Sequence, residues 1–179
     1  GGDVPDILRA LSRESLHCGQ IWLTHSHFDH CGGVDGLKSK TGASVYASGD
    51  EASLRANVPV IAEMFGIFDA GLENCPEPDV VLKGGETLSL LNHSFHVIAT
   101  PGHSPGGMSF YSPEAGIVLV GDVLFAGSIG RTDLPGGDYG RLMASIEELM
   151  KLPPETVVLS GHGPETTLGD ERRMNPFLT

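Results

Sequence analysis

Four times along this chain a short apolar run stops at a turn, and each time a His or Asp stands just past the stop. The first run, Ile21-Trp22-Leu23-Thr24, opens into His25-Ser26-His27-Phe28-Asp29-His30. Residues 95–100 lead to Pro101-Gly102-His103, residues 116–120 to Gly121-Asp122, and residues 156–160 to Gly161-His162. Short β-branched runs bounded by turn residues read as buried strands. In layered α/β folds, ligands gather at the carboxyl ends of strands. The expectation is therefore four strands that end on ligand-type side chains at one edge of one sheet. Neutral imidazole and carboxylate oxygen are the donors that zinc and its borderline neighbours prefer. A packed core gains nothing from such groups, because buried ionisable side chains must be paired or cost several kcal/mol. Three imidazoles and a carboxylate within residues 25–30 point to a metal site.

The pattern H-x-H-x-D-H, then a lone His after T-P-G, then G-D, then G-H, resembles the metallo-β-lactamase superfamily of hydrolases. The stretch from Gly121-Asp122-Val123-Leu124-Phe125 to Gly130-Arg131-Thr132-Asp133 is similar to the hydroxyacylglutathione hydrolases (type II glyoxalases) and their persulfide dioxygenase relatives. So is the tail Gly161-His162-Gly163-Pro164, Thr166-Thr167-Leu168-Gly169, Glu171-Arg172 and Asn175-Pro176-Phe177-Leu178. Within that group the chain looks most like the short bacterial branch, which lacks the large helical C-terminal domain. The resemblance covers essentially the whole chain. It implies a single hydrolase domain over residues 1–179 with a four-layer αββα sandwich of the α/β class.

By position, the resemblance implies one metal on His25, His27 and His103, a second on Asp29, His30 and His162, and Asp122 bridging them. Two divalent ions are expected, zinc first, with iron or manganese also compatible. Two ions about 3.5–4 Å apart acidify a shared water and clamp attacking and leaving atoms. The implied nucleophile is a metal-bridging hydroxide, with Asp29 and Asp122 as the carboxylates that serve it. The implied reaction is hydrolysis of a small-molecule thioester, S-lactoylglutathione or a related acyl-thiol. A thiolate whose parent thiol has a pKa of about 8.5 leaves without a separate general acid. The alternative is a mono-iron persulfide dioxygenase, with His25, His103 and Asp122 as a two-His, one-carboxylate face. A second alternative is a non-catalytic metal-binding scaffold, against which the complete ligand set argues. Asp stands at position 122 where the best-known zinc β-lactamases carry Cys, which weighs against an antibiotic-cleaving role. His stands at position 27 where flavodiiron oxygen reductases carry Glu.

The Gly-rich stretch 127–138 follows Asp122 closely and holds Arg131. In the larger glyoxalases a basic residue at this position holds glutathione, so Arg131 is the expected substrate contact. The other reading pairs Arg131 with Asp133 or Asp138 to stiffen the loop. A family Tyr that also touches glutathione corresponds to Asp133 here.

With 11 Lys+Arg against 23 Asp+Glu, the net charge is −12. Binding to a phosphate backbone needs the opposite field, so nucleic acid and anionic membrane surfaces are poor partners. Cys18, Cys31 and Cys75 lack C-x-x-C spacing and read as free thiols of a reducing, cytoplasmic compartment. Cys31 follows His30 and reads first as a small packing residue. No apolar stretch is long enough to be a transmembrane helix. His17, His93 and His96 lie off the motif and read as structural or exposed.

The chain opens Gly1-Gly2-Asp3, which in the family follows two or three strands, so those strands are expected ahead of this sequence. A helix is expected over 4–15, with Pro5 in its first turn. A strand to Thr24, the ligand loop, a helix over 34–40 and a strand over 44–47 follow. Asp50-Glu51 can start a helix, residues 60–68 are expected to continue it past Pro59, and 74–79 is a loop. Segments 80–82, 87–91, 95–100, 108–111 and 117–120 read as a strand meander. Leu142, Met143, Ile146, Leu149 and Met150 form a helical stripe ended by Pro153-Pro154.

Overall fold

A computed structural model describes residues 3–68 and 71–179. Gly1 and Gly2, which begin the Gly-Gly-Asp motif, lie outside the described residues. The chain divides into two compact units, Gly1–Leu82 and Lys83–Thr179.

In the first unit, helix α1 (Val4–Arg13) has Pro5 and Asp6 in its first turn and Arg13 in its last. That distribution complements the helix dipole. It ends two residues short of the sequence expectation, with Ser15 at φ 55. Strand β1 (Gln20–Trp22) pairs in parallel with β2 (Ser44–Ser48), which pairs in parallel with β3 (Val80–Leu82). Parallel neighbours need crossover connections. Helices α2 (Phe28–Cys31) and α3 (Val34–Thr41) make the first crossover. A 3-10 turn (Gly49–Glu51), α4 (Ala52–Arg55) and α5 (Val58–Met64) make the second. Leu23, Cys31, Val34, Val45, Ala47, Val58 and Cys75 form the core, with Ile21, Phe28 and Leu72 packed half-buried against it. Asp79 accepts from Lys38 Nζ at 2.6 Å and from Val45 N at 2.8 Å, which ties the approach to β3 onto α3 and β2.

In the second unit, β4 (Thr87–Leu90), β5 (His93–Ala99), β6 (Met108–Ser112) and β7 (Ile117–Gly121) form an antiparallel meander. A two-stranded ribbon follows, β8 (Leu124–Phe125) with β9 (Ser128–Ile129), and then α6 (Tyr139–Leu149). Strand β10 (Val157–Ser160) lies parallel beside β7, and β11 (Thr166–Thr167) closes the edge ahead of α7 (Leu168–Met174). The sheet order is β11-β10-β7-β6-β5-β4. Asp138 caps α6 by accepting from Arg141 N at 2.9 Å. The helix turns Leu142, Ile146 and Leu149 onto Val118, Val120, Val158 and Leu168.

The structure departs from four sequence expectations. The ligand-bearing strands do not share one sheet: β5, β7 and β10 do, but β1 belongs to the other. Residues 80–82 leave the meander and pair with β2, because parallel pairing is decided by a distant partner. The stretch 25–30 is not all loop. His27 has extended backbone (φ −67, ψ 153), and α2 begins directly after it. The helix expected over 60–68 runs instead from Val58, with Pro59 in its first turn, and stops at Met64. Proline fits a first turn because its missing N–H has no partner there in any helix.

Candidate metal centre

The first unit supplies four candidate ligands. β1 ends at Trp22, and Leu23 N still donates to Tyr46 O at 2.9 Å, so the chain leaves the sheet in a fixed direction. His25 and His27 follow, both buried, with His27 on extended backbone. Their ring centroids lie 4.7 Å apart, nearly perpendicular. One turn of α2 brings His30 back onto His25 at a centroid distance of 4.0 Å. The turn is closed by His30 N and Cys31 N, which both donate to His27 O at 3.0 Å. His30 Nε2 lies 3.4 Å from Asp29 Oδ2. Three imidazoles packed this closely cannot all be protonated without strong repulsion, whereas neutral rings present lone pairs to a cation.

Cys31 is fully buried, and its thiol donates to Ser26 O at 3.4 Å. The neighbouring Cys75 thiol and burial push the Cys31 thiol well up from its usual range. It packs in the core as a neutral thiol, as a buried Cys does.

The second unit supplies three more. His103 follows β5 through Thr100-Pro101-Gly102, a turn bound tightly to α6. Ser145 Oγ donates to Pro101 O at 2.7 Å, and Asp138 N donates to Gly102 O at 2.8 Å. Gly102 has φ +132, and a Cβ there would lie 2.2 Å from Leu142 N. Only glycine fits this approach. His103 Nδ1 lies 2.8 Å from Arg131 O. A carbonyl only accepts, so Nδ1 carries a proton, and a neutral ring held this way presents its Nε2 lone pair. Such a bond from the far ring nitrogen is how metal-binding histidines are commonly oriented.

Asp122 follows β7 and is largely buried. Its Oδ2 lies 3.8 Å from His103 Nε2 and 3.6 Å from the more exposed His162 Nε2. These separations are too long for hydrogen bonds. They are close to the spacing of neighbouring ligands at about 2.0–2.1 Å from one tetrahedral ion, roughly 3.3 Å. Gly130 passes so near that a Cβ on it would lie 2.0 Å from Asp122 O.

The donor set therefore fits divalent metal, and histidine and aspartate side chains of this chain could hold it. The hydroxyls of Ser26 and Ser104, each beside a candidate ligand and 1% exposed, have no hydrogen-bond partner among the described residues. Buried polar capacity of that kind belongs beside a polar or ionic site rather than in a dry core.

Arg131 has a partner of its own. Its Nε and Nη2 donate to the two carboxylate oxygens of Asp133 at 2.7 and 2.6 Å. Arg131 holds the Asp133 carboxyl down at about 2, and Asp133 raises the guanidinium in turn. The structure thus shows the loop-stiffening pair, while the Arg131 backbone holds His103. Sequence reasoning missed Glu171 and Asn175. Glu171 accepts from Gly127 N at 2.9 Å, Thr166 Oγ1 at 2.7 Å and Asn175 Nδ2 at 2.7 Å. Asn175 Nδ2 also donates to Ser128 O at 3.0 Å. Together they anchor to α7 the ribbon that follows Asp122. In the sequence they stand only as members of the family-like tail, with Asn175 just past the end of α7.

Histidine and aspartate side chains that follow strand ends, with His25, His27 and His103 buried, mark a candidate metal-binding α/β protein. Residues 1–162 match the metallo-beta-lactamase superfamily, and the chain belongs to it. It is 41% identical over 180 residues to the probable metallo-hydrolase YqgX of Bacillus subtilis (strain 168), covering 99% of this chain and 84% of the relative. It is 37% identical over 183 residues, with the same coverage, to the hydroxyacylglutathione hydrolase GloC of Haemophilus influenzae. Among crystal structures, TTHA1623 in a di-iron-bound form superposes with a TM-score of 0.88 at 42% identity, over 97% of this chain and 84% of that one. The BLEG-1 B3 metallo-beta-lactamase gives 0.90 at 40%, over 100% and 86%. ETHE1 from Myxococcus xanthus gives 0.79 at 27%, over 97% and 68%. The fold is the metallo-β-lactamase fold, of the α/β class.

Proposed function

We propose that this protein is a metal-dependent thioester hydrolase of the type II glyoxalase kind, acting on S-lactoylglutathione or a related acyl-thiol. His25, His27 and His103 would hold one divalent ion, Asp29, His30 and His162 the other, and Asp122 would serve both. The observation that carries the reading is the single Asp122 oxygen facing two imidazole nitrogens at 3.6 and 3.8 Å. The likeness to GloC supports the thioester, and the di-iron form of TTHA1623 supports a pair of ions. When bound, such a pair supplies Lewis acidity and an acidified water. The chain's own part is orientation. Arg131 O fixes the His103 tautomer, α2 stacks His30 on His25, and Gly130 allows the loop to close over Asp122. A thiolate leaving group needs no proton, which matches a site whose named residues are ligands rather than acids.

A second reading, a mono-iron persulfide dioxygenase using His25, His103 and Asp122, draws on the likeness to ETHE1. Reconstitution with zinc, manganese or iron, followed by assays with and without oxygen, separates the two. Thiol release from lactoylglutathione under anaerobic conditions supports the hydrolase. Oxygen uptake with glutathione persulfide and no thioester cleavage overturns it. Turnover of a β-lactam belongs in the same set, since a 40% identical structure is a B3 metallo-beta-lactamase. Lactam cleavage without thioester cleavage also overturns the proposal.

A further inference from the structure

Helix α5 is apolar on both its inward and its outward face. Its inward residues are Val58 and Ala62, and its outward face is again apolar, with Val60 58% and Met64 79% exposed. Past its end, Phe65, Ile67 and Phe68 are also exposed. The turn that presents them is fixed by Phe65 N and Ile67 N, which both donate to Ala62 O. A surface helix normally faces solvent with polar residues, and a contiguous exposed apolar patch marks a binding surface. The patch touches Phe28, the residue that stands in the chain between His27 and Asp29. One side of Phe28 packs on the core of the first unit, and its ring lies 5.4 Å from that of Phe65. Residues 58–68 contain no Lys or Arg and a single acid, Glu63. Nothing there would attract the carboxylates of a glutathione tripeptide. An aliphatic chain, by contrast, would meet the exposed side chains of Val60, Met64, Phe65, Ile67 and Phe68.

We infer that Val60, Met64, Phe65, Ile67 and Phe68, reached through Phe28, form a subsite for the apolar acyl chain of a thioester substrate. This rests on the hydrolase reading and narrows its substrate class from short hydroxyacyl groups to longer aliphatic ones. A methylene moved from water into such a surface gains up to about fourfold in affinity.

The test is calorimetric binding of S-methyl-, S-butyl-, S-hexyl- and S-octylglutathione, thioethers that cannot be hydrolysed, to the metal-loaded protein. In parallel, kcat/KM is measured for the matching S-acylglutathiones. The dissociation constant should fall about two- to fourfold per methylene, with increasingly negative heat-capacity change. Met64→Ser and Phe68→Ser, at strongly exposed positions that leave the folding transition in place, should each flatten that slope. A chain-length-independent dissociation constant, or an unaltered slope in both variants, overturns the inference. So does self-association at micromolar concentration, or binding to neutral phosphatidylcholine vesicles, that disappears in the same variants. A steep binding slope with no thioester cleavage would overturn the hydrolase reading and leave the apolar subsite standing.

Discussion

Replacing Gly102 with Ala should cost the protein about 3 kcal/mol and loosen the histidine that follows it. Two effects add. At φ +132 an L-residue meets conformational strain, of the order of 1–2 kcal/mol. The new methyl would also lie 2.2 Å from Leu142 N and 2.4 Å from Leu142 Cα. Overpacking of this kind costs about 1–3 kcal/mol. Leu142 has little room to yield, because it is fully buried and its N–H is bonded to Asp138 O at 2.9 Å. For a chain of this size the loss corresponds to roughly 6–12 °C in midpoint temperature, read by calorimetry. Gly127→Ala is the control. Gly127 also has positive φ, +72, but nothing lies within 4 Å of its hypothetical Cβ. It should lose only the strain, about 3–6 °C. Metal content should drop in the first variant and hold in the second, since the Gly102 turn delivers His103. Equal losses in the two variants would refute the argument that the contact with Leu142 fixes this turn.

Asp122→Asn should lower turnover more than about 100-fold, beyond what losing an outer partner of a ligand costs, and should reduce metal content. Near-normal turnover would contradict a shared carboxylate. Glu171→Ala strands Gly127 N–H, Thr166 hydroxyl and Asn175 amide. It should cost about 3–5 kcal/mol in denaturant unfolding, with Glu171→Gln far milder. The Asp133 carboxyl should titrate by NMR at about 2 in the native protein, and near 3.9 once Arg131 is Ala. Because its pKa is depressed, the Arg131–Asp133 pair is complete above about pH 4 and is lost as pH falls through about 2. A native midpoint near 4 would show that the pair does not form in solution.

The candidate ligands were legible because their signal is local: an apolar run, a turn residue, then a donor. Nothing local says which sheet a strand joins. β1 stops at Trp22 and leads to His25, but it pairs with β2, away from the sheet that holds β5, β7 and β10. Residues 80–82 read as the start of the meander for the same reason, since strands follow them in the chain while their partner β2 lies far back in it. Helix α2 is four residues long, too short for any 3.6-residue period to show. Arg131 was ambiguous in the sequence because its rivals were a ligand and two nearby carboxylates. The geometry pairs it with Asp133 and puts its backbone to work on His103. The Glu171–Asn175 anchor joins residues more than forty positions apart, so no window could have found it.

The placement of β10 beside β7 has a consequence during synthesis. β7 is finished at Gly121, but its parallel partner begins at Val157, with the β8–β9 ribbon and α6 in between. At about 5–20 residues per second, that partner arrives roughly 2–7 s later. For that interval a nascent chain holds an apolar strand with one edge open, the kind of edge that pairs with a neighbouring chain. Slower translation through residues 122–156 would lengthen the exposure, and crowding of ribosomes on one message would bring identical edges together. Yield of intact protein would then depend on elongation rate through this stretch, with no change in the stability of the finished fold.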